Sequence, residues 1–268
     1  MGKFDGLLLV SDFDDTLYAP DCRIPQANLD ALRYWIGEGG RFTVATGRAH
    51  RTFAAYAHLA PINAPVVLSN GAAIYDFQAD RMLVQTLLDP RAPQDFARLM
   101  EAMPSLALEA YHGEDIYVYR PNPITDAHMK KVGTGYTQCS IPEIPTPWSK
   151  AIVQQEYDVL LQARAWLEAN CPGRYEAIFS NRYYLEITHL GCTKGGMVRR
   201  LCQMLNISPN GLYCVGDNQN DIPMLALSAI PFAPSNCAQE VKDAGAQILC
   251  HCSEGVIAPI VERLDKLY

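Results

Sequence analysis

An α/β protein, with a parallel-sheet core interrupted by an inserted α+β module, is the fold class this sequence predicts. Three observations support it. Short continuous apolar runs alternate with helical patterns in the first third, closely linked strand patterns fill the middle, and the first style returns after Gly191. Parallel neighbours need a helix-length crossover, whereas tight links favour antiparallel hairpins.

Gly6 to Ser11 reads as a buried strand, an apolar run of strand length bounded by turn formers. Leu29, Leu32 and Ile36 then recur at helical spacing between Pro25 and Gly39-Gly40, which predicts a helix with its start and stop. Phe42 to Ala45 is a second buried strand running into Thr46-Gly47, and Val66 to Leu68 a third ending at Ser69-Asn70-Gly71.

In the middle, strands are expected at Met82 to Leu88, Leu106 to Tyr111, Ile116 to Tyr119, Ile152 to Gln155, Tyr175 to Phe179 and Tyr184 to Thr188, with turns at 113–115 and 180–182. Pro93 to Met103 and Asp158 to Asn170 carry helical patterns. The proline-rich stretch Ile141 to Pro147 is read as an ordered connection within this module. Beyond Gly191, Met197, Val198, Leu201 and Leu205 form a helical apolar face, Leu212 to Val215 is a strand entering Gly216-Asp217, and Ile230 to Ala233 a further short strand.

Composition bounds the function. The 268 residues are 49% hydrophobic and 19% charged, a globular balance that excludes disorder as the main theme. The early apolar run Leu7 to Val10 is too short to span a membrane and lacks a signal peptide's flanks, and Gly6 stands where a myristoylation motif needs Ser or Thr. A cytoplasmic protein without a membrane partner is expected. The net charge of −7 and the absence of a dense Lys/Arg run give no electrostatic basis for nucleic-acid binding. Nine cysteines without a CxxC read as reduced thiols.

Polar clusters follow three of the buried strands, and in a parallel sheet the carboxyl ends of neighbouring strands converge on one crevice. The first is Asp12-Phe13-Asp14-Asp15-Thr16-Leu17. In an extended segment Asp12 and Asp14 share a face, and two adjacent carboxylates need a cation or a shared proton, unless the segment is only an Asp-rich turn. Thr46-Gly47-Arg48 offers a hydroxyl and backbone N–H groups to an anion, or is a turn with an N-cap. Lys194, in Gly191-Cys192-Thr193-Lys194-Gly195-Gly196, lies near a helix start; alone it reads as a surface lysine. Gly216-Asp217-Asn218-Gln219-Asn220-Asp221 sets two carboxylates beside amides, a donor set suited to Mg²⁺, without the terminal Glu of a calcium loop.

Taken in order, these four segments resemble the motifs of the haloacid dehalogenase superfamily, and the insertion preceded by Ser69-Asn70-Gly71-Ala72 resembles its Cof-type sugar-phosphatase branch. The resemblance covers nearly the whole chain. It implies a Rossmann-like core of residues 1–81 and 189–268 with an α/β cap of residues 82–188. It further implies Mg²⁺-dependent hydrolysis of small phosphorylated metabolites, sugar phosphates or a phosphorylated cofactor, through an aspartyl-phosphate. Asp12 is then the nucleophile and Asp14 the general acid and base, its pKa expected to be raised. Asp12, the Asp14 carbonyl and Asp217 would hold the metal, while Lys194, Thr46, Asn220 and the N–H groups of Phe13 and Gly47 would hold the phosphate. Asp221 would bind the metal or orient Lys194. The family commonly has Gly at the place of Asp15, which is read here as a turn former.

In the cap, Tyr111, His112, Tyr117, Tyr183, Tyr184 and His189 are candidate substrate contacts, whereas Trp148 and Trp166 are assigned to packing. Two other readings compete: a phosphomutase of the same superfamily, and a non-enzymatic phosphoacceptor signalling module. The second lacks a large cap and is about half this length. No G-x-G-x-x-G follows a strand, which disfavours a dinucleotide site.

Overall fold

The computed structural model describes residues 2–268. The chain opens with β1 (Leu8–Ser11), α1 (Gln26–Gly37) and β2 (Arg41–Val44), then a short α2 (His50–Ala54) and the strands β3 (Val66–Leu68), β4 (Ala73–Asp76) and β5 (Arg81–Gln85). The middle holds α3 (Ala92–Ala102), β6 (Ala107–His112), β7 (Asp115–Tyr119), α4 (Pro123–Val132), β8 (Thr137–Gln138), β9 (Lys150–Gln154), α5 (Tyr157–Asn170), β10 (Tyr175–Asn181) and β11 (Tyr184–His189). The chain closes with α6 (Lys194–Leu205), β12 (Leu212–Val215), α7 (Ile222–Leu225), β13 (Pro231–Ala233), α8 (Gln239–Asp243), β14 (Gln247–Ile248) and α9 (Ile257–Asp265).

A five-stranded parallel sheet in the order β14-β13-β12-β1-β2 forms the core. β1 lies inside it, between β12 and β2, and both its faces are covered: Leu9 and the preceding Leu7 pack with Trp35, Ile257 and Leu264, whereas Leu8 and Val10 pack with Val198, Leu201 and Met224. That is why its sequence is an unbroken apolar run. β3 continues this sheet only through one parallel bridge, Ala45 to Val67, and otherwise heads an antiparallel sheet of order β3-β4-β5. The expected strand starting at Met82 is therefore β5, paired to β4 with Val84 buried beside Val10 and Val67, and the sheet of the inserted module begins later, at Ala107.

That module is a six-stranded sheet, β10-β11-β9-β6-β7-β8, antiparallel except for the β7–β8 pair. Successive side chains of a strand point to opposite faces. Leu108, Ala110, Ala151, Val153, Leu185 and Ile187 pack with Phe96 and Leu99 of α3 and Leu160 of α5, and Trp148 and Trp166 join the same core. The opposite face carries Glu109, Tyr111, Lys150, Gln154, Tyr184 and Glu186. α4 packs on this second face, with Met129 against Tyr111 and Ile152. Its ends are clear in structure: Asn122 and Thr125 form a reciprocal cap, Pro123 starts the first turn, and Gly133 closes it at φ 68°. This helix is not among those expected from the sequence. None of the described helices is long and apolar enough to cross a membrane.

Candidate active site

Four segments converge at the carboxyl ends of β1, β2, β3 and β12. Asp12 follows β1 directly, its N–H still bonded to the Val215 carbonyl at 2.8 Å, which brings it beside the β12 loop. Lys194 opens α6, a helix start fixed by the Thr193 hydroxyl accepting from the Gly196 N–H at 2.9 Å. The lysine is 1% exposed, so the surface reading fails for a physical reason: its Nζ bridges Asp12 Oδ1 at 2.5 Å and Asp221 Oδ1 at 2.7 Å. Burial opposes its charge, but the two carboxylates outweigh burial and hold its pKa above the usual lysine range.

Asp221 is fully buried and spends its other oxygen on the N–H groups of Asp217 and Asn218, at 2.9 and 3.1 Å. Gly216 leaves the room this requires, since a Cβ there would lie 2.4 Å from the Asp221 carboxyl carbon. Asp217 accepts from the Thr16 hydroxyl at 3.0 Å.

Carboxylate oxygens of Asp12, Asp217 and Asp221 lie within 4.8 Å of one another. Burial pushes the Asp12 carboxyl up to about 7 against the pull of Lys194, with the Asp221 and Asp14 charges adding to the rise. Burial, then Asp12 and Asp221, push Asp217 well above the carboxylate range. Crowded, desolvated oxygens of this kind fit a hard divalent cation such as Mg²⁺. Because both Asp221 oxygens already accept internal bonds, Asp12 and Asp217 have the freer oxygens. The Asp14 backbone carbonyl accepts no hydrogen bond among the described residues.

Asp14 departs from expectation. Burial raises its pKa, but the Arg48 guanidinium bonds both carboxylate oxygens, and the net shift is downward. Arg48 is held in turn against the rings of Tyr56 and Phe13. Sequence spacing gives no sign of this pair, because the two residues sit on different loops.

Around the same point lie donors with no internal acceptor. The N–H groups of Phe13 and Gly47 are unpaired among the described residues, and the buried Asn70 Nδ2 has no partner. Thr46 is buried, with its hydroxyl oxygen accepting from the Arg48 N–H at 3.1 Å. Asn220 Nδ2 donates to Asn70 Oδ1 at 3.0 Å, so Asn220 and Asn70 act as a pair. Asn70, in the left-handed region at φ 53°, is a site residue that the sequence reading placed only within its loop.

The inserted sheet covers this crevice. Lys150 Nζ donates to the Gly47 carbonyl at 3.0 Å, Lys131 Nζ approaches Asp15 at 3.7 Å, and Glu114 accepts from the Arg51 N–H at 2.7 Å. A cavity of about 150 Å³ remains between Asp12, Asp14 and Asp217 below and Tyr111, His128 and Tyr184 above. Of the six cap candidates, Tyr111 and Tyr184 line it; His112, Tyr117, Tyr183 and His189 do not. His128, Lys131, Lys150 and Glu186 line it as well and were not singled out by sequence.

Known proteins resemble this chain over nearly its whole length. The chain is 24% identical over 280 aligned positions to the 5-amino-6-(5-phospho-D-ribitylamino)uracil phosphatase of Bacillus subtilis (strain 168), covering 94% of this chain and 96% of that one. It is 24% identical to the HMP-PP phosphatase of Serratia proteamaculans (strain 568), covering 96% and 94%. Among solved structures, a haloacid dehalogenase-like hydrolase from Bacteroides thetaiotaomicron superposes with a TM-score of 0.82 at 20% identity, covering 96% of this chain and 99% of that one. A HAD subclass IIB sugar phosphatase superposes at 0.83 and 18% identity, covering 97% and 99%. The model of the haloacid dehalogenase-like hydrolases matches residues 9–260, from the strand that precedes Asp12 into the last helix, and the chain belongs to that family.

Proposed function

We propose that the protein is a Mg²⁺-dependent phosphatase that hydrolyses small phosphorylated metabolites through an aspartyl-phosphate on Asp12. The observation that carries this reading is the Lys194 bridge, which fixes Asp12 at the mouth of the crevice beside the carboxylates of Asp217 and Asp221. The phosphatase names of the relatives support it.

Asp12, Asp217 and the Asp14 carbonyl would hold the cation, which supplies positive charge against the repulsion between carboxylate and phosphate. Asp12 attacks phosphorus, and the bond to the ester oxygen breaks with its electron pair going to that oxygen. Asp14 gives the leaving oxygen its proton, then takes one from the water that attacks the phosphoryl group, freeing Asp12 and inorganic phosphate. Arg48 bonds both Asp14 oxygens, so for the acid step one of these bonds would have to give way to an O–H directed at the leaving group. Lys194, Thr46, Asn220, Asn70 and the N–H groups of Phe13 and Gly47 orient the phosphoryl oxygens and stabilise their charge, which is most of what phosphoryl transfer asks of a protein. Asp221 orients Lys194.

The test is phosphate release by purified protein from a panel of phosphorylated sugars and cofactors. Asp12→Asn is expected to abolish release and EDTA to stop it until Mg²⁺ is restored. Full activity in Asp12→Asn, or insensitivity to chelation, would overturn the corresponding assignment. Transfer of the phosphoryl group to a second sugar in place of phosphate release would mark a phosphomutase.

A further inference from the structure

Glu109, on β6, is completely buried in the face of the cap sheet that looks toward the core. A carboxylate withdrawn from water costs several kcal/mol unless every oxygen is satisfied. Here all the donors come from side chains: His128 Nδ1 at 2.8 Å, Gln154 Nε2 at 2.5 Å and the Tyr111 hydroxyl at 2.9 Å. Gln154 is itself fixed, its carbonyl accepting from the Thr125 hydroxyl at 2.6 Å, so the network ties α4 to β6 and β9. Apolar side chains would serve packing on this face without such an arrangement, as Ile152 between them shows.

The network leads to the cavity through His128. With Nδ1 donating to Glu109, the imidazole is locked in orientation, packed against Tyr184 at 4.7 Å between ring centroids. Its Nε2 makes no hydrogen bond among the described residues, and the ring lines the cavity over the crevice. A carboxylate that fixes one imidazole nitrogen and leaves the other for a ligand is a recurrent positioning device.

The charges of that wall narrow the ligand. Each basic side chain of the cap that lines the cavity has its own carboxylate: His128 has Glu109, Lys150 has Glu186 at 3.2 Å, and Lys131 has Asp15 at 3.7 Å. Ser180 also donates to Glu186, at 3.2 Å. The wall therefore offers hydrogen-bond donors and acceptors without a spare positive charge for a second anion.

We propose that His128, held by Glu109, contacts the leaving group of the substrate, and that this leaving group is uncharged and bears hydroxyls. His128 is then a specificity residue and Glu109 a positioning residue. The inference rests on the phosphatase reading above.

The experiment compares wild-type protein with His128→Gln and Glu109→Gln on fructose 6-phosphate, fructose 1,6-bisphosphate and p-nitrophenyl phosphate, with melting temperatures read in parallel. For His128→Gln, kcat/KM on fructose 6-phosphate is expected to fall about 10-fold or more relative to that on p-nitrophenyl phosphate, mainly through KM, as for loss of a hydrogen bond to a substrate hydroxyl. Glu109→Gln is expected to move the same ratio in the same direction. Wild-type protein is expected to prefer fructose 6-phosphate to the bisphosphate. A purely structural role would lower both esters together, and an unchanged ratio in both variants overturns the inference, as does a preference for the bisphosphate. No phosphate release by wild-type protein from any ester overturns the phosphatase reading and this inference with it; release with an unchanged ratio overturns only the inference. A second readout does not depend on the folding of either variant. In Asp12→Asn protein, the ¹⁵N resonance of His128 Nε2 is expected to shift with fructose 6-phosphate beyond any shift caused by inorganic phosphate. Equal shifts overturn the contact.

Discussion

Arg48 grips Asp14 through two parallel bonds, Nη2 to Oδ1 at 2.7 Å and Nε to Oδ2 at 2.9 Å. A guanidinium fork fixes a carboxylate in angle as well as distance, which a lysine ammonium cannot do. Arg48→Lys keeps the charge and loses the fork. It is expected to lower kcat by up to about 10²-fold, the scale of a reacting group misplaced by about 1 Å, with a much smaller change in KM. Single-turnover phosphate release checks it, and an unchanged kcat would show that the fork does not position Asp14.

Asp217 makes a prediction of opposite sign for stability and activity. Burial and the neighbouring Asp12 and Asp221 charges disfavour its ionised form, so above the ordinary carboxylate range folding must either take up a proton or carry a disfavoured charge, and both cost stability until a cation is bound. An asparagine removes that charge and keeps an oxygen for the Thr16 hydroxyl. Asp217→Asn is therefore expected to melt higher than wild type in EDTA, yet to be inactive. Mg²⁺ at 100 times its dissociation constant is expected to stabilise wild-type protein by about 2.7 kcal/mol, and the variant by much less. Thermal melts with and without Mg²⁺ decide it.

Asp15 sits in the left-handed region at φ 62°, where Gly is the least strained residue and Asp one of the better substitutes. Among the described residues its carboxylate pairs only with the exposed Lys131, at 3.7 Å. Such a pair contributes roughly 0–1 kcal/mol, and Gly removes the left-handed penalty. Asp15→Gly should leave stability within about 1 kcal/mol of wild type, whereas Asp15→Val, β-branched in that conformation, is expected to cost about 1–3 kcal/mol. Urea denaturation separates the two.

These residues show where sequence was sufficient. Asp12, Thr46 and Asp217 could be placed because each comes just past a short buried strand, and parallel strands must deliver their ends to one edge. Lys194 could be placed only with the resemblance, since a single lysine at a helix start carries no mark of burial; its burial depends on two carboxylates from distant loops. The Arg48–Asp14 fork and the Glu109–His128 pair were illegible for the same reason. Each joins separate elements, and strand periodicity shows which residues share a face without showing what crosses to meet them. α4 escaped notice because it buries little apolar surface, chiefly Met129, and rests instead on its Asn122 cap and the Thr125 and His128 bonds. The apolar run Met82-Leu83-Val84 marks β5 as a strand without showing that its partner is β4 rather than a strand of the inserted module.

Lys194 gives the sharpest energetic test. Removing one member of a buried charge cluster leaves the others uncompensated, at about 3–5 kcal/mol, whereas removing charges together is often close to neutral. Lys194→Met strands Asp12 and Asp221, both nearly inaccessible to water, and is expected to lose stability on that scale in EDTA. Adding Asp221→Asn removes one stranded charge while preserving an oxygen for the Asp217 and Asn218 N–H groups. The double variant should therefore recover a substantial part of the loss, and a double-mutant cycle from urea unfolding should show a coupling well above the few tenths of a kcal/mol typical of independent sites. Phosphate release should remain absent in both variants, because Asp12 has lost the group that orients it. Additive stability effects would mean that the bridge does not hold the two carboxylates together, and with that the placement of Asp12 at the crevice would lose its physical basis.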